Sequence, residues 1–250
     1  MVARRRLDAE LVRRGLAVSR TEAQDQVEAG LVLVNGAVAA KPARLVAAGD
    51  AVIVAEPPAR FVGRGGEKLD PAIEHFRIDV TGRRALDVGA STGGFTDCLL
   101  SRGAAHVVAL DVGHGQLHPR LRNDPRVTVL ERTNIRTTTI EMIGGAVELA
   151  VVDVAFISLI VVIPVLVRLC QPGSPMVLLV KPQFEAGRVE VARGKGIVTD
   201  PAVHARVRDE IEQALTSAGC TIGGWMESPI RGGHGNREFL VHAITSSGAS

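Results

Sequence analysis

Asp153, Lys181 and Glu238 each stand at an end of an apolar segment of this 250-residue chain. Asp153 closes the run that begins at Leu149, Lys181 follows directly on 176–180, and Glu238 directly precedes 239–244. A carboxylate and an amine brought to neighbouring strand tips, beside a glycine turn, mark a candidate site. Upstream, Leu86-Asp87-Val88-Gly89-Ala90-Ser91-Thr92-Gly93-Gly94-Phe95-Thr96 reads as a strand, a glycine turn and a helix start. Glycine there lets backbone approach a cofactor, and helix-start amides can bind its polar end. Asp87, Gly89, Ser91, Gly93, Gly94 and Phe95 are therefore candidate cofactor residues. Asp111 ends the next apolar segment, 22 residues past Gly89, where a carboxylate can accept both ribose hydroxyls of an adenosine cofactor. The glycines fall as G-x-x-x-G-G, not as the G-x-G-x-x-G that cradles a dinucleotide pyrophosphate.

Positioning these residues requires strands. Seven apolar segments, 85–88, 106–110, 127–130, 149–154, 176–180, 222–226 and 239–244, alternate with helical patterns and predict an α/β fold with a seven-stranded, mostly parallel sheet. Before them lies a small α+β module. Leu7, Leu11 and Val12 mark one amphipathic helix ending at Gly15, and Ser19-Arg20-Thr21-Glu22 is a capping box for a second that closes at Gly30. A strand over 31–34, an Asn35-Gly36 hairpin turn and a strand over 51–54 complete it. Glu56-Pro57-Pro58-Ala59-Arg60 suits neither helix nor strand. The expected division is a front domain over 1–55, a linker over 56–66 and a catalytic domain over 67–250. The Ser-Gly C-terminus reads as frayed.

Charge is nearly balanced, 29 Lys plus Arg against 27 Asp plus Glu, so a polyanionic partner must be held by local clusters. Cys98, Cys170 and Cys220 are too far apart for a zinc site or a disulfide framework and fit a reducing cytoplasm. Residues 1–6 are basic but lead into Leu7-Asp8-Ala9-Glu10 rather than an apolar core, so no secretion signal is read. The apolar stretch 149–169 is interrupted by Asp153 and Pro164, which argues for a buried strand and helix rather than a membrane span.

Lys68, Asp153, Lys181 and Glu238 resemble the Lys-Asp-Lys-Glu tetrad of the FtsJ/RrmJ-type ribose 2′-O-methyltransferases. Gly63-Arg64-Gly65-Gly66-Glu67-Lys68-Leu69, the glycine turn, Asp111-Val112-Gly113-His114-Gly115-Gln116-Leu117, Val180-Lys181-Pro182-Gln183-Phe184-Glu185-Ala186-Gly187-Arg188 and Gly235-Asn236-Arg237-Glu238-Phe239-Leu240 resemble the TlyA family. The first 55 residues resemble the S-four RNA-binding module. His114 stands where that family commonly has tyrosine, and Gly63 and Ala155 where it commonly has serine.

The resemblance implies 2′-O-methylation of ribosomal RNA, in some members at cytidines of both subunits, with S-adenosylmethionine as cofactor and the ribosomal subunits as partners. It implies that Lys181 removes or shares the hydroxyl proton, which requires a neutral amine favoured by burial and by a second cation such as Lys68. Asp153 would orient amine and hydroxyl, and Glu238 would hold the lysines. A sulfonium supplies the electrophile, so no metal is expected. Arg4, Arg6, Arg14, Arg20, Lys41 and Arg64 are the expected RNA contacts, and Phe61 and Phe184 are candidates to stack an extruded base. Two alternatives remain open: a catalytically silent RNA-binding or assembly factor, and a hemolysin or pore-former.

Overall fold

The computed structural model describes residues 4–55, 59–187, 190–191, 194–232 and 235–246. Residues 1–3, the Glu56-Pro57-Pro58 part of the expected linker, Arg188 and the C-terminal 247–250 lie outside the described residues. The chain divides into two compact units after Ala59.

In the front unit, α1 (Leu7–Arg13) and α2 (Arg20–Glu28) pack Leu7, Leu11, Ala23 and Val27 against Val32, Val34 and Val46. Ser19 caps α2 by accepting from the Glu22 amide at 3.1 Å, and Glu22 returns to the Val18 amide, one residue earlier than a capping box requires. Asn35 and Gly36 both have positive φ, as the two-residue turn between β2 (Val32–Val34) and β3 (Ala37–Val38) demands. β5 (Val52–Val54) pairs with the other edge of β2. A second, two-stranded sheet was not expected: β1 (Arg4–Arg6) runs antiparallel to β4 (Leu45–Ala47).

The rear unit is a seven-stranded sheet formed by β6 (Arg84–Val88), β7 (His106–Leu110), β8 (Val127–Leu130), β9 (Leu149–Val152), β10 (Pro175–Val180), β11 (Thr221–Glu227) and β12 (Phe239–Ile244). Their spatial order is β11-β12-β10-β9-β6-β7-β8. Only the pairs involving β12 are antiparallel. Alternation divides the side chains between two apolar layers. Leu86, Val88, Val152, Leu178 and Val241 face α6 (Leu159–Leu169) and α8 (Pro201–Ser217), whereas Ala85, Val151, Leu179 and Leu240 face α3 (Gly65–His75) and α4 (Gly94–Ser101). Burying each leucine or valine among them contributes about 1.5–3 kcal/mol. α6 accommodates Pro164 in its interior, and no helix among the described residues is long and apolar enough to cross a membrane.

Candidate active site

Gly89 ends β6 with φ 84°, and a Cβ there would stand 2.3 Å from the Asp153 carbonyl oxygen. Glycine is required because the tips of β6 and β9 approach closely, which differs from the expected reason, access for a cofactor. Gly93 adopts φ 98° ahead of α4, and a Cβ on Gly94 would meet the Gly66 nitrogen at 2.9 Å. These two glycines seat α4 against its neighbours, and Phe95 is buried in the core. Of the glycine turn, Gly89 and Ser91 line a cavity of about 500 Å³, together with Asp111, Gln116, Asn134 and Asp153. Val88, Leu110, Ile135 and Val154 supply apolar wall. The Ser91 amide donates to Asp111 Oδ2 at 2.7 Å and the Gly113 amide to Oδ1 at 2.6 Å, so the carboxylate is fixed at the tip of β7. A cavity with apolar walls and a fixed acceptor suits an adenosine group. Asp87, by contrast, is fully buried away from the cavity lining. Its Oδ2 accepts from Thr96 Oγ1 at 2.6 Å, and burial, followed by the charge of Asp153, pushes its carboxyl up to about 7 against the pull of the threonine.

Asp153 and Lys181 lie two residues beyond Val151 and Leu179, and Glu238 two before Leu240, so strand alternation aims all three toward the layer that carries α3. There Lys68 Nζ donates to Glu238 Oε2 at 2.7 Å, both side chains being buried. Lys181 Nζ pairs with Asp153 Oδ1. β10 and β12 pair Val180 with Phe239, which sets Lys181 and Glu238 side by side. The four candidate catalytic residues thus form two ion pairs where α3 meets adjacent strand tips, with Asp153 on the cavity wall.

The loop after Asp153 adds a residue that sequence reasoning did not single out. Phe156 is 93% exposed at φ 63°, a backbone region that a bulky residue seldom adopts. Its ring stands 5.1 Å from that of Phe184, whose centroid is 5.8 Å from Lys181 Nζ. Glu185 ties the two loops together: Ser158 Oγ donates to it at 2.6 Å and the Leu159 amide at 2.9 Å. Burial raises the Glu185 carboxyl above its ordinary value, and these two donors oppose the rise. Asn236 likewise accepts from the Val198 amide at 2.9 Å beside Glu238.

Two expected RNA contacts are corrected. Phe61 is buried against Gly66, where any Cβ would collide with its ring, so it offers no face to a base. Arg14 donates to Glu10 and to the carbonyls of Asp50, Ala47 and Ala48, so its guanidinium staples α1 to the chain that follows β4. Arg4, Arg6, Arg20 and Lys41 are exposed on the front unit. Arg64 is exposed on the rear unit and donates to the Arg231 carbonyl at 2.6 Å.

The profile of the FtsJ-like methyltransferase family matches residues 61–244, and that of the S4 domain matches residues 5–52. The chain is 50% identical over 248 residues to the 16S/23S rRNA (cytidine-2′-O)-methyltransferase TlyA of Mycobacterium tuberculosis, covering 99% of this chain and 92% of that protein. It is 40% identical to Hemolysin A of Brachyspira hyodysenteriae, covering 96% and 99% of the two. A solved Streptococcus thermophilus protein that also carries a hemolysin name is 38% identical with TM-score 0.73, over 98% of this chain and 90% of that one. Magnesium protoporphyrin IX methyltransferase of Synechocystis, solved with bound SAH, shares the fold at TM-score 0.53 and 14% identity, over 76% of this chain and 90% of that one.

Proposed function

Because the chain belongs to the FtsJ-like methyltransferase family and carries an S4 domain ahead of its catalytic part, we propose that it transfers a methyl group from S-adenosylmethionine to a ribose 2′-hydroxyl of ribosomal RNA, at cytidine in the ribosomal subunits of the cytoplasm. The observation that carries this reading is the pair of ion pairs, Asp153 with Lys181 and Lys68 with Glu238, gathered at strand tips beside the Asp111 cavity.

When bound, S-adenosylmethionine supplies an electrophilic methyl. Asp111 would accept the ribose hydroxyls of its adenosine, with the base against Val88, Leu110 and Ile135. The chain's own residues supply alignment and the handling of a proton. Asp153 orients the Lys181 amine, and Lys181 accepts or shares the 2′-hydroxyl proton as the new bond forms. Glu238, fixed by Lys68, lies beside Lys181 and holds that arrangement. Phe156, supported by Phe184, presents an exposed ring where an extruded base would arrive. Arg4, Arg6, Arg20 and Lys41 of the front unit and Arg64 of the rear unit take the phosphates.

Mapping ribose methyls by mass spectrometry, on purified ribosomal subunits incubated with the protein and S-adenosylmethionine, tests the reading. A new cytidine 2′-O-methyl that Lys181→Ala abolishes is expected. Cofactor binding without methyl transfer to either subunit would instead favour the silent assembly factor.

A further inference from the structure

Two carboxylates of the front unit are buried without any apolar reason to be there. Asp8 and Glu10, on α1, are 0% and 2% exposed, and a charge withdrawn from water is costly unless it is fully partnered. Both are fully partnered, almost entirely by arginine. Arg6 donates to Asp8 twice, Nε to Oδ1 at 3.2 Å and Nη2 to Oδ2 at 2.9 Å. Arg20 Nη2 donates to the same Oδ2 at 2.9 Å, Gln24 Nε2 to it at 3.1 Å, and the Ala9 amide to Oδ1 at 2.8 Å. Glu10 takes Arg13 in two bonds and Arg14 in one. Hydrogen bonds from these arginines, Arg6 first at Asp8 and Arg13 first at Glu10, hold both carboxyls below their ordinary values.

The two clusters differ in what they leave outside. Arg14 spends its remaining donors on backbone carbonyls, so much of the Glu10 cluster serves the fold. Arg6 and Arg20 make no further hydrogen bond among the described residues, and their side chains are 48% and 58% exposed. A guanidinium has five N–H donors, and Arg6 spends two on Asp8 while Arg20 spends one. The outward donors of two different elements, β1 and α2, are thereby gathered around one carboxylate oxygen. Left alone, two guanidiniums that close would repel, and each long side chain would sample many rotamers. The buried carboxylate cancels the repulsion and fixes both.

We propose that Asp8 is a positioning residue for RNA: it holds Arg6 and Arg20 side by side as a preformed clamp for backbone phosphate. The inference rests on the reading of the front unit as an RNA-binding module and adds to it the residue that sets the geometry. It makes a prediction opposite in sign to simple electrostatics. Asp8→Asn removes a negative charge next to the phosphate site, which by charge alone tightens RNA binding. If Asp8 acts by pre-ordering the arginines, the same change weakens binding, by about tenfold for two released side chains.

The test uses the full chain and a fluorescein-labelled RNA hairpin, with anisotropy followed over a range of KCl concentrations. Arg6→Ala together with Arg20→Ala is expected to weaken binding and flatten its salt dependence. Asp8→Asn is expected to weaken binding in the wild-type background and to add nothing once both arginines are gone. Arg6→Lys sits at a half-exposed position that does not threaten the fold, keeps the charge and loses the two-pronged grip; it is expected to bind nearly as weakly as Arg6→Ala. No loss from the arginine-to-alanine changes would overturn the RNA-face reading and the clamp with it. Loss there, with Asp8→Asn or Arg6→Lys binding as tightly as wild type, overturns the clamp alone. So does an Asp8→Asn defect of equal size in both backgrounds, because it would come from the fold and not from arginine placement.

Discussion

The front unit and the candidate active site of the rear unit use acid–base pairs in opposite ways. In the front unit buried carboxylates serve arginines, whose guanidiniums remain half outside and permanently charged. In the candidate active site of the rear unit, carboxylates serve lysines, and Lys68 with Glu238 is hidden almost completely, although elsewhere in that unit buried Asp70 and Asp97 pair with arginines. Arginine keeps its proton at any working pH and offers a planar fork suited to phosphate, whereas lysine is a compact amine that can give its proton up. On the proposed function, the front unit displays fixed charge and the rear site lets a proton move. On that proposal, the difference between the two cations separates a surface for gripping a polyanion from a site for activating a hydroxyl.

The most direct way to break this contrast is to give the rear site the front unit's chemistry. Lys181→Arg keeps the ion pair with Asp153 and the positive charge but cannot accept a proton, and it should be nearly as inactive as Lys181→Ala. Single-turnover methylation of ribosomal subunits with saturating cofactor should fall by about 10²-fold or more while RNA affinity holds. A rate within a factor of two of wild type would reduce Lys181 to an electrostatic clamp, and the two units would then differ only in burial.

A smaller effect is expected at Phe156, a ring that the rear site displays. Phe156→Ala removes a ring that is 93% exposed and so should leave thermal stability unchanged. If the ring stacks an extruded base, its loss costs about 1–3 kcal/mol, or roughly tenfold in kcat/KM. Unchanged methylation kinetics would show that the ring is idle. Asp111→Ala should weaken cofactor binding by about tenfold or more, since a charge-assisted hydrogen bond contributes about 1.5–3 kcal/mol. Calorimetry on the folded variant would measure it, and equal affinity would move the adenosine away from Asp111.

What was legible in the sequence follows from the same physics. The central strands of the rear sheet were visible because buried parallel strands read as unbroken apolar runs, and each of the seven observed strands falls within two residues of its expected bounds. Asp153 and Lys181 were visible because each abuts such a run, whereas Lys68 and Glu238 came with the family resemblance. β1 was not: three consecutive arginines carry no strand pattern, and only pairing with β4 orders them. The need for glycine at position 89 was legible but its cause was not, because the clash is with Asp153, 64 positions away in sequence. Phe61 and Phe156 look alike in sequence, yet Gly66 admits one ring to the core while a positive φ turns the other outward. Whether Arg6 and Arg14 share a role could not be read either, since the backbone carbonyls that consume Arg14 arrive from residues 47–50.

Asp87 belongs to neither pattern and gives the smallest and most specific test. Among the described residues it is a buried carboxyl with no cation: Thr96 donates to one oxygen, and the other is buried without a hydrogen-bond partner. Asp8, equally buried, is held below its ordinary value by arginine; Asp87 is pushed up to about 7 by burial, with the charge of Asp153 adding to the effect. Because its folded-state value lies above the ordinary 3.8, protonation favours the fold. Its contribution to stability is fully present below about pH 4 and is lost as pH rises through about 7. Asp87→Asn keeps an acceptor for the Thr96 hydroxyl and abolishes the titration. The difference in Tm, variant minus wild type, should therefore climb between pH 5 and pH 8, by about 2–4 °C for each kcal/mol involved. Taking the difference cancels the titration of carboxylates that are not coupled to Asp87, so the slope reports Asp87 together with the charges that act on it. A flat difference across that range would mean that the Asp87 carboxylate is ionised at pH 5 and stabilised by a partner, which would place it with Asp8 among the acids that serve a cation.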